Sequence, residues 1–305
     1  MPHVMEQKEF VKAESSKRVS LTKILVATDF SRVSDCALDY AIALARRYDA
    51  RIYLTHVITP DPFQFAEPQY AAATYEKVRQ EAEENIASIL ISGKLRGVPH
   101  EVLMAEGNVW PNLEKMIQEH DIDLVVVGTH GKGRIKRFLM GSVAEEIFRR
   151  ANTAVLTVGP EVRGEAQPEI EFKHILMATD FGPGAGKAVA HAFSLAQEHN
   201  AKITLLHVVE SGATYTEETV LRQREINIVR MKQLMPPGTE DWCKPEFRVT
   251  FGLAQEEILA AAQECKADLI VMGAKARNGM AGYGPMTIAY NIVSNATCPV
   301  LTVRG

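Results

Sequence analysis

Residues Val125 to Val143 read V-V-V-G-T-H-G-K-G-R-I-K-R-F-L-M-G-S-V. Three β-branched residues end in Gly128, Gly131 follows, and nine further residues lead to Gly141 and Ser142, where a helical pattern begins. This is the outline of a strand, a glycine-punctuated loop and a helix N-terminus. Glycine lets a backbone turn sharply and approach a ligand closely. A helix start offers backbone N–H groups and a partial positive charge. Lys132, Arg134, Lys136 and Arg137 add cationic charge to the same loop. The pattern suits a polyphosphate. A basic surface loop with incidental glycines is the other reading of these residues.

On either side of this stretch the chain alternates strands and helices. Lys23–Thr28 (K-I-L-V-A-T) is a short apolar strand ending at Asp29. A helix is expected from about Arg32 to Tyr48, with Ala37, Leu38, Ala41, Leu44 and Ala45 on one face and Ser31 as its cap. Residues 51–58 form a second strand, broken by Pro60 and Pro62. A long helix from about Gln69 to Leu95 ends at Gly97. A third strand covers 100–105, and a helix opened by Gly107 and Asn108 runs to His120. The fourth strand is Leu124–Gly128, a helix runs from Ser142 to about Ala151, and Ala154–Val158 is the fifth strand.

The order then repeats. Residues 173–180 (K-H-I-L-M-A-T-D) echo 22–29 (T-K-I-L-V-A-T-D), and the tetrapeptide Ala27–Phe30 returns as Ala178–Phe181, 151 positions on (178 − 27). His56-Val57 matches His207-Val208 at the same shift. Asp123-Leu124 matches Asp268-Leu269, Gly128 matches Gly273, and Val155–Val158 matches Val300–Val303, all at a shift of 145 (268 − 123). A repeat this long exceeds solenoid periods and marks a duplicated domain. The expected division is a tail over 1–20, a domain over 21–159, a polar linker over 160–171 and a second domain over 172–305. The expected fold class is α/β, because strands alternating with helices imply parallel strands joined by right-handed crossovers. In such open sheets ligands bind at the carboxyl ends of the strands, where the strand order reverses. Asp29 and Gly128 both stand at carboxyl ends.

Composition excludes several classes. The chain has 305 residues, 46% hydrophobic and 24% charged, with a formal net charge of -4. Ordinary composition fits a globular protein, and a net negative charge argues against a general nucleic-acid partner. The four cysteines (Cys36, Cys243, Cys265, Cys298) form no C-x-x-C pair and no zinc spacing, which points to reduced thiols and the cytoplasm. No apolar run reaches the length of a membrane span, and the charged N-terminus has no apolar core of a secretory signal.

Taken together, the motifs resemble the universal stress protein family, as two such domains in tandem. Gly128, Gly131, Gly141 and Ser142 match the family's ATP-binding signature G-x-x-G, nine residues, G-S/T, and Ala27–Ser31 and L-T-H-V-I (Leu54–Ile58) match its first two strands. The resemblance covers nearly the whole chain outside the tail and linker. It implies that each domain is an open five-stranded parallel sheet in the order 3-2-1-4-5, with helices on both faces, and that the two domains pair through strand five. It implies ATP as ligand: Ala27, Thr28 and Asp29 at the adenosine end, with Asp29 as hydrogen-bond acceptor, Val57 contacting adenine through its backbone, Gly128, His130 and Gly131 flanking ribose and phosphates, and Gly141, Ser142 and Val143 holding phosphates. A divalent ion such as Mg2+ would bridge phosphate oxygens with mostly water ligands. Asp29 has an alternative reading as a helix cap or turn residue.

The second half departs from this signature. Gly273 and Asp180 survive, but Ala276 replaces the counterpart of Gly131 and Met286, after Pro285, that of Gly141; Thr287 keeps the hydroxyl. Weak or absent ATP binding is expected there. Gly182–Lys187 resembles a P-loop but lacks its first Gly (Phe181) and final Ser/Thr (Ala188). His191 and His199 make a poor metal pair, and His56 and His207 read as core histidines. Trp110 and Trp242 read as packing or interface residues. The leading function is an ATP-binding stress-response regulator whose second half is a structural pseudo-copy, with intramolecular pairing of the halves and a homodimer left open. At most slow hydrolysis is expected, since no general base or arginine finger is assignable. The alternatives are a non-nucleotide scaffold, a nucleotidyl-transferring enzyme, disfavoured by the absence of H-I-G-H and S-G-G-x-D-S sequences, and a protein taking an apolar ligand near Met280, Tyr283 and Met286.

Overall fold

The computed structural model of the protein describes residues 19–59, 68–129, 141–162, 170–210, 216–274 and 288–304, and the side chains of all these except 68–72. His130, Gly131, the Lys132–Arg137 patch, Phe138–Met140, Ala276, Met280, Tyr283 and Pro285–Thr287 lie outside them. So do Pro60, Pro62, most of the tail and the middle of the linker.

The elements follow in order β1 (Lys23–Ala27), α1 (Arg32–Tyr48), β2 (Arg51–Ile58), α2 (Pro68–Ile91), β3 (His100–Glu106), α3 (Val109–Glu119), β4 (Leu124–Gly128), α4 (Ser142–Arg150) and β5 (Ala154–Val158). The second half repeats them as β6 (His174–Ala178), α5 (Ala185–His199), β7 (Lys202–Val209), α6 (Glu217–Leu234), β8 (Glu246–Phe251), α7 (Ala254–Glu264), β9 (Leu269–Ala274), α8 (Ile288–Asn295) and β10 (Val300–Arg304). The strands form one ten-stranded sheet in the order β3-β2-β1-β4-β5-β10-β9-β6-β7-β8. Each half is thus a five-stranded parallel sheet in the order 3-2-1-4-5.

Period two decides which face each strand residue serves. Ile24, Val26, Leu124 and Val126 belong to one apolar cluster with side chains of α1, α2, α5 and α6. Leu25, Ala27, Val125 and Val127 belong to another with α3, α4, α7 and α8. Helices therefore cover both faces, which is why runs such as Ile24–Ala27 and Leu124–Val127 are apolar on both sides of the strand. Each fully buried Leu or Ile contributes about 1.5–3 kcal/mol.

The repeat extends to backbone conformation where residue identity has drifted. Positive φ occurs at Phe30 and Phe181 (60° and 58°), Asp49 and Asn200 (53° and 50°), and Asp121 and Lys266 (47° and 53°). These are pairs at the same shifts of 151 and 145. Asp123 and Asp268 also share a task. Asp123 Oδ2 accepts the Thr22 and Lys23 backbone N–H groups at 2.8 and 2.9 Å, and Asp268 Oδ2 accepts those of Lys173 and His174 at 2.8 and 3.0 Å. Each carboxylate ties the start of its half's first strand to its fourth. One helix boundary differs from expectation. α2 stops at Ile91 and not near Leu95, because Gly93 and Gly97 adopt φ of 76° and 79° and carry the chain through turns instead. A 3-10 turn at Thr239–Asp241 adds a short element between α6 and β8 that the strand–helix alternation does not predict.

The halves meet where β5 and β10 pair antiparallel, with Leu301 opposite Leu156. Thr157 Oγ donates to the Val300 carbonyl at 3.0 Å and Thr302 Oγ to the Val155 carbonyl at 3.3 Å. Under this joint α1 and α5 approach each other. The Arg47 guanidinium reaches the Glu198 carbonyl and carboxylate, and the Val19 N–H donates to Ser194 Oγ at 3.1 Å. A cavity of about 20 Å³, lined by Leu44, Tyr48, Leu156, Leu195 and Leu301 among others, lies in the seam.

His199, the last residue of α5, is 2% exposed. Its Nδ1 accepts the Phe172 N–H at 3.3 Å, and its Nε2 has no partner among the described residues. Burial, aided by the Arg47 charge, lowers its pKa to about 4. The unfolded chain therefore binds the proton first as pH falls. The neutral ring's stabilisation is complete above the unfolded value of about 6.5 and is lost as pH drops from there toward 4, by roughly 3 kcal/mol in all. Urea unfolding at pH 7 and pH 4 should show a stability loss smaller by this amount in His199→Gln than in the parent. Equal losses in both would refute the assignment.

Candidate functional site

Within the first half β1 lies between β2 and β4, with Ala27 opposite Thr55 on one side and Val127 on the other. The chain winds outward from β1 through β2 to β3 and then crosses back to β4. The strand order reverses between β1 and β4, so their carboxyl ends flank the crevice such sheets use for ligands.

The turn after β1 is built by its own side chains. Phe30 is left-handed, a costly conformation for a bulky residue. Three hydrogen bonds hold it. Thr28 Oγ accepts the Phe30 N–H at 3.0 Å, Asp29 Oδ1 accepts the Ser31 N–H at 3.1 Å, and Thr28 Oγ lies 3.1 Å from Ser34 Oγ. His56 Nδ1 sits 2.8 Å from the Thr28 carbonyl, so this nitrogen carries the proton, and its ring lies 4.4 Å from that of Phe30. Ser31 caps α1 by accepting the Ser34 N–H at 3.2 Å, as its sequence position predicts. Thr28 is buried with its hydroxyl engaged inside the turn, while Asp29 is half-buried. The turn-residue reading of Asp29 holds, and it does not exclude the acceptor reading, since a carboxylate has capacity for further donors.

Gly128 has a reason of its own to be glycine. A Cβ there would lie 2.9 Å from both Ser34 N and Val33 C, in the backbone of the first turn of α1. At Gly273 a Cβ would lie 3.1 Å from Gly184 C, before α5. Both glycines let the fourth strand's end pass close against the start of the half's first helix. This packing demand is common to the two halves and explains why Gly273 persists where the other glycines of the signature do not.

Beyond Gly128 the buried Thr129 donates its N–H to the Val158 carbonyl at 2.9 Å and accepts the Gly141 N–H at 2.6 Å. Gly141 is the N-cap of α4, with φ −61° and ψ 149° and no side-chain cap. That conformation is open to any residue, so glycine here is not required by the backbone. Ser142 and Val143 form the first turn, both half-buried or exposed at its surface. α4 thus starts beside β4, and among the described residues no side chain caps its N-terminus. Val57, half-buried near the end of β2, is opposite Ala105 of β3 and packs into the apolar cluster under α3 and α4.

Of the residues expected at the site, the structure brings Ala27, Thr28, Asp29, Gly128, Gly141, Ser142 and Val143 to the carboxyl ends of β1 and β4, with Val57 one strand away. His130 and Gly131 lie outside the described residues. Phe30, Ser34, His56 and Thr129, which hold the turn and the loop ends, were not expected as site-builders. The matching Thr28–Phe30 and Thr179–Phe181, with a histidine at the same place in the next strand (His56, His207), are a signal that points to two of them, Phe30 and His56.

The second half repeats the turn. His207 Nδ1 lies 2.8 Å from the Thr179 carbonyl, its ring 4.6 Å from that of Phe181, and Asp180 Oδ1 accepts the Gly182 N–H at 2.8 Å. Burial lowers the His207 pKa. Two features differ. Gly182 and Ala185 stand where Ser31 and Ser34 cap α1, so α5 has no side-chain cap. Arg230 of α6 places its guanidinium 3.8 Å over the Phe181 ring and donates to Asn227 Oδ1 at 3.2 Å. Among the described residues no three His, Cys, Asp or Glu side chains cluster as a metal site, and no helix is long and apolar enough to cross a membrane.

Fold and site together define a tandem, open-sheet α/β protein whose strand order reverses once within each half. A profile of the universal stress protein family matches residues 20–159 and 171–304, and the chain belongs to that family. A universal stress protein of Mycolicibacterium smegmatis is 25% identical over 296 residues, covering 92% of this chain and 96% of its own. One from Methanocaldococcus jannaschii is 33% identical over 138 residues, 45% of this chain and 81% of its own. Among solved structures, a universal stress protein of Archaeoglobus fulgidus superposes with a TM-score of 0.66 at 18% identity, over 92% of this chain and 98% of its own, a likeness of fold.

Proposed function

We propose that this chain is a nucleotide-binding regulator that holds ATP in its first half and uses its second half as a structural pseudo-copy. The observation that carries this reading is the start of α4. Its N-terminus has no side-chain cap among the described residues, follows the chain's one complete Gly-x-x-Gly, nine residues, Gly-Ser run, and is joined through Thr129 to the carboxyl end of β4, next to β1, where the strand order reverses. Such an N-terminus suits phosphate, and Gly141 leaves its approach open. In this reading Ala27, Thr28, Asp29 and Val57 surround the adenosine, Asp29 accepting from ribose or base. Gly128, His130 and Gly131 flank ribose and phosphates, and Ser142 and Val143 donate to phosphate oxygens, while Gly141, whose own N–H is taken by the Thr129 carbonyl at 2.6 Å, contributes only the bare approach. Mg2+ would enter with the nucleotide and offset phosphate charge, with no residue of this chain assigned to it. The domains are 21–159 and 172–305, and four free thiols support a cytoplasmic setting.

Calorimetric titration of ATP with Mg2+ into the whole chain is expected to give one site per chain. Two sites would overturn the pseudo-copy reading. No binding would favour the second reading, a scaffold working through its joined sheets. Gly128 supports that alternative, since packing against α1 accounts for it without any ligand.

A further inference from the structure

At the 145-residue shift Phe148 of α4 corresponds to Val293 of α8, and Gly159 after β5 corresponds to Arg304 at the end of β10 (293 − 148 = 304 − 159). The β5–β10 joint brings these four together in crossed pairs. In one direction Arg304 Nη2 donates to the Phe148 carbonyl at 2.6 Å. In the other, a Cβ on Gly159 would lie 3.4 Å from the Val293 carbonyl oxygen and 3.6 Å from that of Ala296. The same place in the fold holds a cation facing the helix of the half with the complete motif, and a bare backbone facing the helix of the half without it.

The chemistry of the first pair is specific. The Ile147 carbonyl is taken by the Ala151 N–H at 2.9 Å. The Phe148 carbonyl belongs to the last turn, which no helical N–H reaches. Arg304 supplies that donor and puts positive charge at the negative end of the helix dipole. Its guanidinium is partly desolvated there, which lowers its pKa. α4 has only nine residues, so its length is about 13 Å. Fixing its last turn fixes the position of the N–H groups at its first.

We propose that Arg304 is a positioning residue for the nucleotide site of the first half, contributed by the second half. It holds α4 from behind so that Ser142 and Val143 present their N–H groups in place. This rests on the ATP reading of that site. It also gives the second half a task that needs no ligand of its own.

The test uses the full chain with Arg304→Ala and Arg304→Lys, and two readouts: hydrogen exchange of α4 amides without nucleotide, and the Kd for ATP with Mg2+. Arg304→Ala should speed exchange across α4 several-fold while β4 and β9 amides stay as in the parent. It should raise the Kd about tenfold, the scale of one lost charge-assisted hydrogen bond. Arg304→Lys, which keeps a charged donor, should recover most of both. Parent-like α4 exchange in Arg304→Ala overturns the proposal, as does a raised Kd without faster α4 exchange, which would report only long-range charge. If the parent itself binds no ATP, the function reading fails by that result, and the exchange arm still decides whether Arg304 holds α4.

Discussion

Gly141→Met should weaken ATP binding to the chain by about a hundredfold or more while leaving its stability nearly intact. Met is the residue the second half carries at the matching place, Met286. Gly141 has φ −61° and ψ 149°, which methionine adopts without strain, and its N–H bond to the Thr129 carbonyl at 2.6 Å is a backbone bond that any residue but proline can make. The cost to folding is confined to a poorer N-cap, about 1 kcal/mol or less. The side chain, however, would stand at the mouth of the first turn of α4, where phosphate oxygens would accept the Ser142 and Val143 N–H groups. Losing two charge-assisted hydrogen bonds of this kind weakens binding by about a hundredfold or more. Titration calorimetry and thermal melting on the same preparation check both halves of this statement. Parent-like affinity in a folded variant would remove α4 from the site.

Gly128→Ala should do the reverse, unfolding the chain at markedly lower temperature. The added Cβ meets Ser34 N and Val33 C at 2.9 Å. Both are backbone atoms of the first turn of α1, so no side-chain rotation relieves the clash. Either β4 or α1 must move, and α1 is fixed by the buried Ala37, Leu38, Ala41 and Leu44. Overpacking of this type costs about 2–3 kcal/mol, which for a domain of this size lowers Tm by roughly 5 °C or more. Gly273→Ala, whose nearest contact is 3.1 Å from Gly184 C, should cost less. An undisturbed Tm in Gly128→Ala would show that the close approach of β4 to α1 is not tight in solution.

Much of the fold was legible because its signals are local or repeated. Apolar runs such as Leu124–Val127 mark strands buried on both faces. Ser31 announces the start of α1, and the returning Ala-Thr-Asp-Phe announces a second copy of the first. The end of α2 is less legible, because two glycines, Gly93 and Gly97, compete to stop the helix, and residue type alone does not say which acts first. The site was legible as a motif but less so as a set of reasons. Gly128 reads as a ligand-facing glycine, yet its closest neighbours belong to α1, which precedes it by over ninety residues (128 − 34 = 94). Arg304 gives no signal in the sequence, because its partner, the Phe148 carbonyl, is a backbone atom 156 positions away and becomes adjacent only through the β5–β10 pairing.

That pairing has a consequence in mass action. Two separate subunits joined edge to edge come apart on dilution. Here the second edge is tethered to the first by the short segment between Val158 and His174, so each strand meets its neighbour at an effective concentration on the order of millimolar whatever the protein's abundance. The joint is therefore insensitive to expression level. It also always joins unlike halves, so a change confined to one copy, such as the exchange of Gly159 for Arg304 across the seam, is never averaged away by reassortment with an identical subunit.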